Sequence, residues 1–176
     1  MTDKRNEKKF IIALSKLARK NDISKITIDD ICREAKCHRT SFYNHFDTKD
    51  DLVKKTENEI CSLFESKVLA AGDIKAMVYA SIKIIDEYDG YFKAYFNDDR
   101  LNRKYHLSVI EEHNNQFFAD NYAGKLTDEQ VAYIKYGTNK ILIDWINSDN
   151  RISSDELADK LMEIVSRIIG TDAECK

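Results

Sequence analysis

The sequence contains no proline, and only five of its 176 residues are glycine. Proline makes up about 5% of the residues of an average protein, and both residue types interrupt helices. Their scarcity predicts a chain that is almost entirely helical. The predicted fold class is therefore all-α, and the start and stop signals along the chain indicate about nine helices.

The sequence also lacks long apolar runs and recognisable metal-binding spacing. No stretch approaches the ~18 to 20 apolar residues of a membrane span, and the first residues are charged, so we expect a cytoplasmic protein without membrane contact. The four cysteines, Cys32, Cys37, Cys61 and Cys175, form no C-x-x-C pair, which predicts reduced thiols. Cys32, Cys37 and His38 do not have the spacing of a zinc module. We predict no metal and no cofactor.

Charge is divided unevenly along the chain, although the net charge is only −3. Residues 1–56 carry 14 Lys and Arg against 9 Asp and Glu, whereas residues 57–176 carry 14 against 22. A basic amino-terminal part suits binding to phosphate groups. A solvated basic helix is the alternative, because the opening MTDKRNEKK supplies much of the excess.

The stretch from Thr27 to Leu52 has the pattern of two short helices joined by a tight turn. Thr27 and Asp30 form a capping pair at the start of the first helix. Its apolar face is made by residues at helical spacing, namely Ile28, Ile31, Cys32 and Ala35. This is the first half of a helix-turn-helix layout.

The second short helix follows Lys36, Cys37 and His38, and it directs Phe42 and Phe46 inward. Its outward side chains are Arg39, Thr40, Ser41, Tyr43, Asn44 and His45. Arginine can bond guanine bidentately, asparagine can do so with adenine, and hydroxyls and histidine can hold phosphates. The apolar spacing alone fits any three-helix core equally well.

The run from Thr27 through Ala35, the word SFYNHF, and Lys49 and Leu52 within TKDDL together carry a resemblance to a known family. They resemble the amino-terminal DNA-binding domain of the TetR (tetracycline repressor) family of bacterial transcription regulators, over roughly residues 8 to 55. The family commonly has glycine where Lys36 stands, since the backbone there is left-handed. Lysine adopts that conformation at a cost of roughly 1 kcal/mol.

The resemblance implies roles for individual residues. Tyr43, His45 and Lys49 match positions that contact phosphates, and Ser41 and Thr27 match positions that usually bond the DNA backbone as well. The positions at which the family varies and reads bases are His38, Arg39, Thr40 and Asn44. Lys25, next to the Thr27 cap, could reach a phosphate near the helix N-terminus or be a plain surface lysine.

The remaining chain is interpreted as a regulatory body. The predicted division is a helix-turn-helix domain at 1–47, a connecting helix at 48–71 and a regulatory and dimerisation domain at 72–176. The connecting helix begins at a Thr48–Asp51 capping pair and ends before Gly72. Further helix starts are predicted at Thr127 and at Ser153 or Ser154.

Aromatic residues concentrate in this body, since 12 of the 18 in the chain lie between Tyr79 and Tyr136. Tyrosine provides an apolar ring with a hydrogen-bonding tip, which suits a small-molecule cavity, although plain core packing explains the pattern equally well. The candidate ligand-binding residues are Tyr79, Tyr88, Tyr91, Phe92, Tyr95, Tyr105, Phe117, Tyr133 and Tyr136.

The last two predicted helices have apolar stripes that are too wide for one neighbour to cover, which predicts a homodimer. The candidate interface residues are Ile134, Ile141, Trp145, Leu157, Leu161, Ile164 and Ile168. The resemblance agrees, because the family dimerises through its last two helices. The carboxy-terminal body also resembles, loosely, the short regulatory domains of this family from low-GC Gram-positive bacteria.

These observations favour a homodimeric regulator that binds a pseudo-palindromic operator in double-stranded DNA. The expected form is a repressor that a small-molecule effector releases. The alternatives are a helical carrier or enzyme that retains the N-terminal module, and a regulator with a protein effector or none. The sequence has no nucleophile elbow, phosphate loop or paired acidic motif, so we predict that it is not an enzyme.

Overall fold

The computed structural model describes residues 2–97 and 108–170. Within these ranges there is no β-strand, and the prediction of an all-α fold is confirmed. The nine α-helices of the described part are α1 (Thr2–Ala18), α2 (Ile28–Ala35), α3 (Arg39–Tyr43), α4 (Lys49–Leu63), α5 (Ile74–Glu87), α6 (Asp89–Asn97), α7 (Ser108–Tyr122), α8 (Asp128–Asn147) and α9 (Ser154–Ile169). A 3-10 turn, Ile23–Lys25, precedes α2.

Helix starts follow the capping residues of the sequence. The Thr27 hydroxyl accepts a hydrogen bond from the Asp30 backbone N–H, and the Asp30 carboxylate accepts one from the Thr27 N–H. The same reciprocal pair joins Thr48 and Asp51 ahead of α4. Each pair satisfies two backbone donors that a helix start leaves without partners. Thr127 and Ser153 are the N-caps of α8 and α9.

The long helix expected from Thr48 to Ala71 changes type near its middle. Helix α4 ends at Leu63, and a π-helical segment, Phe64–Leu69, continues directly from it. Apolar positions that recur every four residues drift by about 40° per step around a helix of 3.6 residues per turn. A π turn holds more than four residues, so across it such positions turn back in the opposite sense and part of the drift is cancelled. The capping residues in the sequence do not indicate this change of helix type.

The described chain forms two compact units. The first contains the described residues of Met1–Ser62 and Glu87–His106, and the second contains those of Leu63–Asp86 and Leu107–Lys176. Helix α6 thus belongs to the same unit as α1 to α4. Tyr105, one of the predicted ligand residues, lies outside the described ranges.

Helix α1 is the centre of the first unit, because it contacts α2, α3 and α6. Its inner face buries Phe10, Ile11 and Leu14 completely. Burial of each such side chain stabilises the fold by about 1.5–3 kcal/mol relative to exposure. One amphipathic helix therefore holds both the helix-turn-helix and α6 in place.

Gly90 allows α6 to approach α1 at backbone contact. A Cβ atom on Gly90 would lie 1.8 Å from the Ser15 carbonyl oxygen and 2.7 Å from the Arg19 nitrogen. The approach is accompanied by a hydrogen bond from the Tyr91 N–H to the Ser15 hydroxyl (3.3 Å) and an ion pair between Arg19 and Asp89 (2.8 Å). Glycine is required here by the space, since any side chain would collide with main-chain atoms.

A polar cluster ties α1 to α4 and to the start of α6. The Lys8 ammonium donates to Glu59 Oε1 (2.6 Å) and to the hydroxyl of Tyr88, and it pairs with Glu87 (2.9 Å). The Tyr88 hydroxyl in turn donates to Glu59 (2.7 Å). Burial raises the pKa of Tyr88, so the hydroxyl stays protonated. Burial lowers the pKa of Lys8, but the hydrogen bonds to Glu59, Tyr88 and Glu87 outweigh it and raise the pKa above its ordinary value.

The second unit buries apolar side chains of α5, α8 and α9, among others. Ile134, Leu142 and Ile146 of α8 and Leu161 and Val165 of α9 are buried. Side chains also bind loop carbonyls and helix ends in this unit. Among the helices that the structure describes, none combines the length and apolar content that a bilayer crossing needs.

Trp145 fixes the turn between α8 and α9. Its indole N–H donates to the Ile152 carbonyl at 2.8 Å. The Arg151 guanidinium lies 4.4 Å from the centre of the indole ring and pairs with Asp86 of α5 at 3.1 Å. These contacts satisfy the indole donor of a buried residue and link α8, the turn that follows it and α5.

We predict that Gly90→Ala lowers the free energy of unfolding by about 1–3 kcal/mol or more, because the new methyl group overlaps main-chain atoms of α1. Denaturant unfolding followed by circular dichroism measures this. Gly137 lies inside α8, and a Cβ atom on it would lie 4.0 Å from its nearest neighbour, the ring of Tyr133. Gly137→Ala is the matched control, and it should stabilise by roughly 0.5–1 kcal/mol. Equal effects of the two substitutions would contradict the close approach.

Candidate nucleic-acid interface

The turn between α2 and α3 is closed by a left-handed residue. Lys36 has φ 54° and ψ 43°, and in the described chain it is the non-glycine residue with positive φ. Its N–H donates to the Arg33 carbonyl, and the Cys37 N–H donates to the Cys32 carbonyl at 3.0 Å. This is the Schellman arrangement that ends a helix. Lys36 therefore adopts the left-handed conformation that the sequence pattern predicts at this turn, and that conformation costs some stability in a residue other than glycine.

Three phenylalanines place the short helix α3 on the domain. Phe42 and Phe46 are buried, and the Phe42 ring lies edge-on to Phe10 of α1 with centroids 5.4 Å apart. Phe46 meets the same Phe10 ring at 6.0 Å. Edge-to-face aromatic pairs add about 0.5–1.5 kcal/mol each beyond their burial. Both phenylalanines point inward as the sequence predicts, although the helix ends at Tyr43 and Phe46 follows it.

The outward side of α3 carries the predicted DNA-binding side chains. His38, Arg39, Thr40, Tyr43 and Asn44 are exposed, whereas Ser41 and His45 are half-buried. Tyr43 is 47% exposed, which is unusual for a large aromatic side chain in the described chain. A polar surface on a helix of a helix-turn-helix is what contacts the edges of base pairs.

Two further predicted DNA-binding residues precede α2, since Lys25 ends the 3-10 turn and Thr27 is the N-cap of α2. Both side chains are exposed. The Thr27 hydroxyl donates to the Asp30 carboxylate at 2.6 Å and holds the pKa of Asp30 below its ordinary value. Backbone N–H groups at a helix start favour anions such as phosphates.

Lys49, predicted to contact a phosphate, is held within the domain. Its ammonium donates to three backbone carbonyls around the 3-10 turn, those of Ile23 (2.9 Å), Ser24 (3.0 Å) and Ile26 (2.8 Å). An ammonium has three N–H donors, so the three carbonyls match its capacity. Lys49 thus fastens the start of α4 to the segment that leads into α2.

Arg39 is joined to both helices of the motif. Its Nη1 donates to the two carboxylate oxygens of Asp29 in α2, at 3.0 and 3.1 Å, and its Nη2 donates to the Tyr43 hydroxyl at 3.1 Å. The hydrogen bond to Tyr43 and the charge of Asp29 raise the pKa of Arg39. Asp29 is absent from the residues predicted from sequence. Acidic residues are common in the first turn of a helix. The position of Asp29 in the sequence therefore does not indicate that it pairs with Arg39, ten residues away.

The predicted ligand residues are distributed over both units. Tyr88, Tyr91, Phe92 and Tyr95 are buried in the first unit, where Tyr88 and Tyr91 take part in the contacts with α1 described above. The members in the second unit are Tyr79, Phe117, Tyr133 and Tyr136. Tyr133 and Tyr136 are 65% and 66% exposed, and the Tyr79 hydroxyl bonds Asp159.

The predicted dimer residues also differ in exposure within one chain. Ile134, Trp145, Leu157 and Leu161 are buried in the second unit. Ile141 and Ile168 are half-buried, and Ile164 is 43% exposed. A part of the stripe therefore packs inside the unit, and its outer members lie on the surface.

Comparisons with known proteins agree with this domain. Residues 12–56 match the family described as bacterial regulatory proteins, tetR family. No curated protein sequence is significantly similar to the chain. The solved structure of the dihydroxyacetone kinase operon activator DhaS is similar, with a TM-score of 0.63, 19% identity, and coverage of 93% of this chain and 96% of that one.

A second similar structure is that of a TetR transcriptional regulator from Streptococcus agalactiae 2603V. It has a TM-score of 0.55 and 16% identity, and the match covers 93% of this chain and 95% of that one. At these identities, both likenesses concern the fold. They extend over most of the chain, well beyond the segment that the family model matches.

We predict that Lys49→Met lowers the free energy of unfolding by about 1–3 kcal/mol, because three carbonyls lose a charged donor. Urea unfolding followed by circular dichroism measures the change. Lys25→Met removes an exposed ammonium from the same region and should stay within about 0.5 kcal/mol of the wild type. Lys49→Met as stable as Lys25→Met would show that the carbonyl contacts do not support the domain.

Proposed function

We propose that this chain, which carries a DNA-binding domain of the tetR family of bacterial regulatory proteins, is a homodimeric transcription regulator that binds a pseudo-palindromic operator. The observation that carries the proposal is the exposed polar surface of α3, held by buried phenylalanines within the matched segment. One helix of five residues reads only a few base pairs. A two-fold symmetric dimer doubles the sequence that is read.

The DNA contacts divide into two kinds. We assign base reading to the exposed side chains His38, Arg39, Thr40 and Asn44, and phosphate contact to Lys25, Thr27, Ser41, Tyr43 and His45. Phosphate contacts fix the position of the protein, and base contacts supply the sequence preference. We assign Lys49 a positioning role, since its ammonium is bound to carbonyls that precede α2.

The dimer is assigned to α8 and α9. Four large hydrophobic side chains are exposed in the described chain, and three of them, Tyr133, Tyr136 and Ile164, lie on these two helices. The fourth is Tyr43 of α3. Exposed apolar side chains gathered on neighbouring helices are typical of surfaces that bind another protein.

The regulated step is proposed to be release of the operator by a small-molecule effector, which makes the protein a repressor. The support for this step is the concentration of tyrosine and phenylalanine between residues 79 and 136, which suits an apolar or aromatic effector with a few hydrogen-bonding groups. Activation is the second candidate, because one of the similar structures is that of an operon activator. The same dimer and DNA contacts serve either outcome.

We expect the full chain to enrich an inverted repeat from a library of random duplexes. The half-sites should be centred about one helical turn, or a multiple of it, apart. Binding should weaken steeply with salt, because each phosphate contact releases counterions. Selection followed by sequencing and a gel-shift salt titration measure both properties. Enrichment of no sequence above the starting library would contradict the proposal.

We predict that Ile164→Glu converts the dimer to a monomer, because it places a charge in a surface that the partner covers. Sedimentation velocity at micromolar concentration measures the assembly, and circular dichroism checks that the fold is retained. Ile164→Leu keeps the apolar surface and should remain dimeric. A monomeric wild type at these concentrations would contradict the proposed dimer. An Ile164→Glu variant that remains dimeric would show that the interface lies elsewhere.

A further inference from the structure

Asp29, Arg39 and Tyr43 form a connected cluster, here called the Asp29–Arg39–Tyr43 triad, on the surface of the helix-turn-helix. Asp29 lies in the first turn of α2, and Arg39 and Tyr43 are the first and last residues of α3. The guanidinium carbon of Arg39 lies 5.8 Å from the centre of the Tyr43 ring. The triad therefore fixes one arginine by contacts from both helices.

The geometry uses only part of the guanidinium. Arginine carries five N–H donors in a planar fork. Asp29 engages Nη1 through both of its oxygens, and the Tyr43 hydroxyl engages one donor of Nη2. Asp29 and Tyr43 thus engage Nη1 and one donor of Nη2, and neither engages the Nε–H. An arginine with donors to spare can bond O6 and N7 of guanine in the major groove.

The triad is built on a surface that must also exclude wrong contacts. The side chains of Arg39 and Asp29 are 56% and 57% exposed. A free arginine there would sample many conformations and would bond any phosphate within reach. A carboxylate beside it limits the conformations and repels the DNA backbone.

We propose that Asp29 is a positioning residue that determines specificity by holding the Arg39 fork in the orientation that reads a guanine. This inference rests on the proposed DNA-binding function and adds to it a residue that does not itself touch a base. Asp29 acts in two ways that point in the same direction. It orders Arg39 for the correct base pair, and its charge disfavours binding to arbitrary duplex.

The test compares Asp29→Asn with the wild-type chain on the duplex that the wild type selects, on each single-base variant of it, and on random duplex. Arg39→Ala first identifies the base pair that Arg39 reads, as the position at which discrimination is lost. At that position we expect Asp29→Asn to reduce discrimination about tenfold and to raise the affinity for random duplex. Discrimination at the other positions should be unchanged.

The double variant Asp29→Asn, Arg39→Ala separates positioning from a general effect on the fold. In the Arg39→Ala background, the Asp29 substitution should cause no further loss of discrimination, since the group that it positions is gone. Glu34→Gln removes an exposed carboxylate from the other end of α2 and leaves the triad intact. It should keep the wild-type discrimination.

Asp29→Glu provides a second measurement, because it keeps the charge and moves the carboxylate by one methylene. It should retain weak binding to random duplex and still lose discrimination at the Arg39 position. Wild-type discrimination in both Asp29 variants, with thermal unfolding unchanged, would overturn the inference. If the wild type selects no duplex, the proposed function itself fails, and the two failures are thus distinct.

Discussion

The position of α3 depends on the contact between Phe10 and the two phenylalanines at 42 and 46. A helix of five residues has too few internal hydrogen bonds to persist by itself, because nucleation costs more than so few bonds return. Its orientation is therefore set by tertiary packing and by the left-handed Lys36 that turns the chain toward it. The positions of the proposed base-contacting side chains therefore depend on those aromatic contacts.

The same helix that holds α3 also holds α6. Helix α1 presents Phe10 to the helix-turn-helix and the main chain at Ser15 to Gly90. Close backbone packing at Gly90 leaves little room for sliding, since the neighbouring atoms are carbonyl and amide groups rather than flexible side chains. The Lys8 cluster adds partly buried, mutually hydrogen-bonded polar groups around the buried Tyr88, which favour one register of α1 against α4 and the start of α6. The first unit is consequently one cooperative body in which α6 participates.

Sequence reasoning succeeded where a structure is decided by neighbours in the chain. The capping pairs Thr27–Asp30 and Thr48–Asp51 join residues three apart, and a pattern that spans four residues is visible in a sequence. It could not place contacts between distant segments, such as the bond from Lys49 to Ile23 or the docking of Gly90 on Ser15. A lysine in a sequence indicates only a charge at the surface. The sequence does not show whether its ammonium binds a phosphate or, as in Lys49, backbone carbonyls.

The same limit applies to the apolar stripes of α8 and α9 and to the recognition surface. An apolar stripe predicts that a helix face is covered, but it does not show whether the same chain or a second subunit covers it. Within the chain Leu161 is buried, whereas Ile164 remains on the surface. On α3, side-chain type identifies Arg39 as a candidate base reader, yet an exposed ion pair such as that with Asp29 contributes only about 0–1 kcal/mol. An interaction that weak adds little to the stability of the fold, so its effect lies in the orientation that it gives the Arg39 side chain. That orientation is a property of the folded surface rather than of the sequence pattern.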